Sequence, residues 1–599
     1  MPPDGIVNLI PVTEQLSLDG HPAGFTYRGL SSYQSNFGNP NNWRASLSYV
    51  SGAHNMKFGY QGAYLKADAE YDANNSQMSY TFNNHQPVSF TYRLPAFQTA
   101  DRTRVTAFFA QDTWTHDRLT LQGALRFDQA SSFSPSEHNG TTQTSVFNPA
   151  PITLPYTDGV HSYRDISPRV GVAYDLFGNG KTAIKFNYGR FLGPATNDTI
   201  YTSNNPANGI VGYNTTTVTR SWTDTNRNYI VDCDLNNPAA QVTPGGDTCG
   251  AVTGNSLNFG KPGSSTKVNP ALLSGWGVRP SDSQLGINLQ QELAPRVALD
   301  VGYNRRWWNN FTVMYNQAVT PSDYQPWTIN APVDSRLPGG GGYPITVYTL
   351  TQAAALRPAQ NYITFETDLG PARINYWHGV DATVTARLSR GTTFQFGTTT
   401  GRAISDTCAS ILNANSPDPR FCRQVDPFQT TLRGFGSYII PKVDVQISAT
   451  IRSQPSLIFG LNNPTIFVGN STTGIIPSNP SGANWLVPNT VVQSILGRLP
   501  PGGLPNGNTV VPLLDNTNRI SPFGRRNQLD MRFAKVLRFG RTRSEVGIDL
   551  QNIFNANYGP DTFSYESTYS YTQPNGGTWL NQTALLTPRF ARLNVTFNF

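Results

Sequence analysis

Four cysteines stand at positions 233, 249, 408 and 422, in two pairs spaced 16 and 14 residues apart. In an oxidising compartment thiols at that spacing can staple loops, and chain closure favours the local pairing among the three that four cysteines allow. That pairing joins Cys233 to Cys249 and Cys408 to Cys422, each bond stabilising by up to ~3 kcal/mol in the chain-entropy account. A metal site would instead ask for CxxC spacing with histidine partners. Around the first cysteine, Asp224, Asn226, Asn228, Asp232 and Asp234 place side-chain oxygens at alternate positions. The first half of an EF-hand loop has that spacing, because Ca²⁺ gathers about six to eight oxygens. Tyr229 stands where the turn glycine belongs, and Leu235 where the bidentate acid belongs. Ca²⁺ in an outer loop is the one candidate cofactor; the alternative is a polar loop that uses Asp and Asn for turn chemistry.

Catalysis has no comparable foothold. The seven histidines form no HExxH, and no GxSxG elbow, Walker loop or dinucleotide fingerprint stands in strand-to-helix context. The chain is read as a non-enzyme with no catalytic residue, and its ligand-binding residues are undetermined.

The elements that must position these loops announce themselves by a period of two. Leu119, Leu121, Gly123, Leu125 and Phe127 share one face, opposite Thr120, Gln122, Arg126 and Asp128. Val443, Val445, Ile447, Ala449 and Ile451 oppose Asp444, Gln446, Ser448, Thr450 and Arg452 in the same way. Fifteen such segments occur, at 43–50, 55–66, 104–115, 118–128, 166–176, 181–191, 284–293, 296–306, 376–389, 392–403, 430–439, 442–452, 528–538, 544–554 and 589–599. Most run ~9–12 residues, the length a tilted strand needs to cross a bilayer. Tight connections, as at 115–117, 177–180 and 440–441, alternate with long ones at 129–164, 192–283, 317–375, 404–429, 453–527 and 555–588. Short periplasmic turns alternating with long outer loops are the layout of a transmembrane antiparallel β-barrel. Apolar faces would then meet lipid, and inward groups such as Arg126, Asp175, Asp444, Arg452 and Asp549 would keep the lumen polar. A set of secreted sandwiches or a propeller is the alternative that the alternation alone would allow.

Composition agrees. Charged residues are 14% and aromatics 12% of 599 residues, with 53 Gly and 44 Pro, a balance that argues against bundles, coiled coils and acidic disordered tails. The net charge of +7 is spread without a basic cluster, which excludes a nucleic-acid surface. No apolar run approaches the ~18 residues of a membrane helix. The opening MPPDGIVNLIPV lacks the basic-then-apolar layout of a signal peptide. Trp307, Trp308, Tyr376 and Trp377 sit near strand ends, where interface girdles use aromatics.

At the C-terminus Leu593, Val595, Phe597 and Phe599 form one apolar face ending on an aromatic. This end resembles the signal that outer-membrane barrels present to the assembly machinery. Ser221–Asp224, Val231–Asp234, Gly275–Pro280, Val301–Trp307, Pro441–Gln446, Arg532–Lys535 and Gln551–Asn555 extend the likeness. Together they resemble the barrel of Oar-like TonB-dependent receptors, a group abundant in acidobacteria, over about residues 43–599. The resemblance implies a bacterial outer-membrane protein that binds a scarce small ligand with its outer loops and admits it past a plug. TonB would supply the energy only if a plug and TonB box lie upstream. Residues 1–42 are expected to be an outer loop or partial strand ahead of the barrel.

Fifteen strands is an odd number, whereas bacterial barrels are normally even and plugged transporters have about 22 strands. The expectation is therefore a 15–16-stranded portion of a 22-stranded wall, in contact with outer-membrane lipid. A strand at Phe25–Leu30 would make the count sixteen. A gap, a strained seam or a borrowed strand is expected between 43–50 and 589–599. A non-transporting adhesion or ligand-binding barrel is the alternative function.

Overall fold

The computed structural model describes residues 9–598 apart from 22, 95, 140–151, 194, 196–216, 254–255, 258, 260–265, 389–390, 415, 461–481, 540–541 and 558–564. Fifteen long strands build the wall. They are β1 (Ser32–Ser51), β2 (His54–Ala73), β3 (Ala96–His116), β4 (Leu119–Ser134), β5 (Ser162–Asp175), β6 (Thr182–Leu192), β7 (Ser281–Ala294) and β8 (Val297–Asn309). Then follow β9 (Ile374–Arg387), β10 (Thr393–Asp406), β11 (Gln429–Ile440), β12 (Val445–Gln454), β13 (Arg526–Phe539), β14 (Thr542–Gln551) and β15 (Phe590–Asn598). Each pairs antiparallel with the next in sequence order. The sheet so formed is a barrel wall, and no helix among the described residues is long and apolar enough to cross a membrane.

The register explains the alternation. Phe186, Ile287, Tyr303 and Val380 stand side by side across β6–β9, while Asn187, Gly286, Asn304 and Gly379 form the parallel row on the other face. Ile287 and Val380 are 47% and 48% exposed. Apolar surface that broad has no place in water and marks the lipid side. At one end of the wall Trp307 pairs with Tyr376, and the Arg305 guanidinium lies over both rings at 5.8 and 4.7 Å. At the other end Trp114 stacks on His54 at 6.2 Å. Both aromatic sets sit where a girdle belongs.

Turns at 52–53, 117–118, 295–296 and 441–444 join strands at one end, and the long connections leave from the other. Two-residue hairpins need positive φ to match strand twist; Gly52 (φ +56°), Asp117 (φ +48°) and Arg296 (φ +70°) supply it.

Some strands begin or end beyond the apolar pattern. β1 starts at Ser32 and β2 runs on to Ala73, because the ladder continues where the alternation has already faded into polar residues. The two-residue strand Thr26–Tyr27 does not join the wall; it pairs with Val12–Thr13 among the outer connections, so it does not bring the count to sixteen. Among the described residues β1 is in register with β2 alone and β15 with β14 alone. The wall is a closed barrel, and no ladder of described residues pairs β1 with β15; an odd strand count leaves only a parallel pairing for that seam.

Candidate functional site

The long connections are not slack loops; they fold. Trp327, Ile345, Val347, Phe459, Trp485, Val492, Leu513, Tyr565 and Trp579 share one buried core, drawn from the connections that follow β8, β12 and β14. The Trp327 indole donates to Thr349 Oγ1 at 2.8 Å and the Trp579 indole to the Gly482 carbonyl at 2.7 Å. Tyr343 donates to the Leu513 carbonyl at 2.8 Å, and Arg498 to that of Leu350 at 2.8 Å. Arg420, from the connection after β10, is tied by its carbonyl to Asn516 N–H. A cap of four connections therefore packs as one unit at the long-loop end.

Within that cap Asp334 receives Arg336 Nη2 at 2.7 Å and the Tyr569 hydroxyl at 3.1 Å. Hydrogen bonds from Arg336 hold the Asp334 carboxyl below its ordinary range, and burial pushes Tyr569 up to about 12. A depressed carboxylate adds stability above its unfolded pKa and loses it as pH falls through the lower folded value. The cap should thus stay closed down to about pH 4 and loosen only below. Against the effect of burial, hydrogen bonds from Thr517 and Asn518 hold the Asp515 carboxyl low as well. In Asp334→Asn that acid step should shrink to the part left by Asp515, with a loss of about 1–3 kcal/mol at neutral pH. Limited proteolysis of the cap across pH reads both; an unchanged acid profile in the variant would reject the assignment.

A second unit gathers residues 12–14, 26–27, 78–83, 86–93, 217–223, 241–242 and 248–249 into a seven-stranded sheet. Trp222, Phe90, Tyr80 and Cys249 fill its core. Cys233 is bonded to Cys249, and Cys408 to Cys422 in the connection after β10. Arg220, 1% exposed, donates to the carbonyls of Gly250, Asn237 and Ala239 at 2.8, 2.9 and 2.8 Å. It takes the place of a ladder for a segment with almost no regular structure.

The oxygen-rich run lies on the rim of this unit. Asp224 accepts the backbone N–H groups of Arg227 and Tyr229, Asn226 that of Asn228, Asn228 that of Ile230, and Asp234 that of Asn236. The Asn226 amide donates to Asp232 at 2.6 Å. Tyr229 adopts φ +58°, the left-handed turn for which an EF-hand would use glycine. Among the described residues no three His, Cys, Asp or Glu side chains converge as a metal site.

Inside the wall the polar face carries paired charges. Arg126 binds Asp128 through two nitrogens at 2.9 Å and reaches Gln61 at 2.9 Å. Asp549 holds Arg592 at 3.1 Å and faces Arg532. Asp175 and Asp444 lie elsewhere, against the expectation of lumen groups. Asp175 accepts the N–H groups of Gly178 and Gly180 in a short turn, and Asp444 is itself in the turn after β11. Alternation gives the face of a residue but not its depth along the strand, so it cannot separate turn residues from the lumen. Leu593, Val595 and Phe597 stand on the lipid face of β15, 82%, 54% and 61% exposed; Phe599 lies outside the described residues.

The folded caps escape the strand pattern, although a weak signal for them exists. Ile345, Val347 and Thr349 alternate in a short strand, and Val492 and Leu496 share a face of the helix Asn489–Leu496.

Wall, girdles and folded outer connections define an outer-membrane β-barrel. The family model described as an outer membrane beta barrel domain matches residues 6–441, and the chain belongs to that family. Its place is the bacterial outer membrane. No curated protein sequence matches. Among solved structures it is similar to the outer membrane transporter YddB from Escherichia coli, at 13% identity and a TM-score of 0.43, covering 98% of this chain and 57% of that one. It is also similar to the ferric-catecholate import receptor Fiu from E. coli K12, at 11% identity and 0.41, covering 95% and 64%. The unliganded ferric citrate transporter FecA follows at 10% and 0.40, covering 95% and 55%. The chain thus spans little more than half the length of the first of these relatives.

Proposed function

We propose that this chain is the barrel of an Oar-like TonB-dependent receptor, which binds a scarce small ligand with its folded outer connections and passes it inward. The observation that carries the reading is the cap: three long connections share one buried core, and a fourth is hydrogen-bonded to it. Ordering that much chain costs about 1–2 kcal/mol per residue in backbone entropy. A barrel that only filled a membrane would have no use for it, whereas a receptor needs a rigid surface. The oxygen-rich turn at Asp224–Asp234 is the Ca²⁺-binding element in this reading; an ion there would displace the backbone bonds its side chains now make. Leu593, Val595, Phe597 and Phe599 serve as the assembly signal, and coupling to TonB depends on a plug.

The test compares solute depletion from the medium by wild-type cells, cells lacking this gene and cells lacking TonB. A solute whose depletion needs both genes supports the proposal. Binding that needs this chain but no TonB would establish a non-transporting receptor instead, and depletion indifferent to the chain would end the reading.

A further inference from the structure

On the polar face of β11 and β12, Arg433 and Arg452 are direct cross-strand partners. Neither guanidinium makes an ion pair or hydrogen bond with the described residues, in contrast to Arg126, Arg532 and Arg592 on the same face. Like charges set directly opposite destabilise a ladder, so this pair is a standing cost unless something negative lies between the two forks. The described wall supplies one negative group at the recess, and it makes no ion pair with either arginine. Asp530, the one acid among the described residues that border the recess, accepts the backbone N–H of Asn552 at 2.7 Å. Asp549 is taken by Arg592 and Asp381 by Asn304.

The recess in front of the pair measures about 810 Å³, within the ~300–1,000 Å³ of small-ligand sites. Gln395, Gln528, Thr431 and Thr450 add amide and hydroxyl groups around it, and Phe435 stands beside them, 48% exposed. Guanidinium forks match carboxylate and phosphate oxygens two at a time. We propose that Arg433 and Arg452 form an oxyanion site in the lumen, which takes a small ligand through a carboxylate or phosphate group. The polar rim suits an oxygen-rich ligand body, and Phe435 offers one apolar contact. The site rests on the barrel assignment but not on coupled uptake, since binding in detergent needs no energy source.

The experiment is calorimetric binding of succinate and of inorganic phosphate to the purified full chain at low salt. Wild type should bind at least one of them, and the preferred anion distinguishes carboxylate from phosphate as the source. Arg433→Gln and Arg452→Gln should each weaken binding about tenfold or more, and added salt should weaken it further. Arg592→Gln, whose partner Asp549 keeps Arg532, should bind as wild type. Thermal unfolding without anion keeps the test sound: removing one of two facing charges should leave the midpoint equal or higher, so weak binding by a well-folded variant is loss of the site. Failure of wild type to bind either anion, or binding by both glutamine variants as tight as wild type, overturns the proposal. Binding of an acidic peptide but of neither small anion overturns it as well. None of these outcomes bears on whether TonB drives uptake.

Discussion

Arginine at position 380 is expected to cost about 2–4 kcal/mol of folding free energy in a bilayer, whereas arginine at position 383 should cost far less. Val380 stands near the middle of β9, pairs with Tyr303 and Thr400, and is 48% exposed to the lipid side. A charge there must snorkel or drag water into the hydrocarbon. Thr383, three residues on, faces the lumen opposite Asp300 and Gly397, where a guanidinium finds an acid and room. Urea titration of the barrel refolded into lipid vesicles, followed by tryptophan fluorescence, measures both variants. Equal penalties at the two positions would mean that the faces have been assigned wrongly, and with them the lumen.

That pair of residues also shows what local pattern encodes. Alternation such as Val380, Ala382, Val384 and Ala386 is a direct imprint of two solvents on one strand, so each of the fifteen strands is legible in the amino-acid sequence alone. Length alternation of the connections does the same for the two ends of the wall. The caps are barely legible, for a physical reason. Their elements are short, such as Pro344–Leu350 and Asn484–Pro488, and they meet across hundreds of residues, as when Arg336 binds the Trp579 carbonyl at 3.1 Å. No local period encodes a contact of that range. The arginine pair of the lumen is half legible: alternation puts Arg452 on the polar face, but its neighbour Arg433 emerges only from the register of β11 on β12.

The largest effect should appear at the seam between the first and last strands. Fifteen antiparallel strands leave β1 and β15 running in the same direction, so they could join only by a parallel ladder, which the described residues do not form. Along β15 every second residue aims its N–H and C=O away from β14, which leaves about four residues of its nine with unpaired backbone. Each unpaired group costs several kcal/mol in hydrocarbon, so both edges together reach tens of kcal/mol, more than the whole stability of an ordinary domain. Lipid cannot hold unpaired backbone at that cost, so water or headgroups must cover whatever part of β1 and β15 stays unpaired. Cysteine cross-linking in vesicles measures the consequence. Val546 and Val595 face each other across β14 and β15, so the pair Val546→Cys with Val595→Cys should link in high yield under mild oxidation. Leu47→Cys with Val595→Cys, on the lipid faces of the two terminal strands, should link no better than two cysteines placed at random. Efficient linking of that second pair would show that β1 and β15 pair with each other, and the unpaired seam would have to be abandoned.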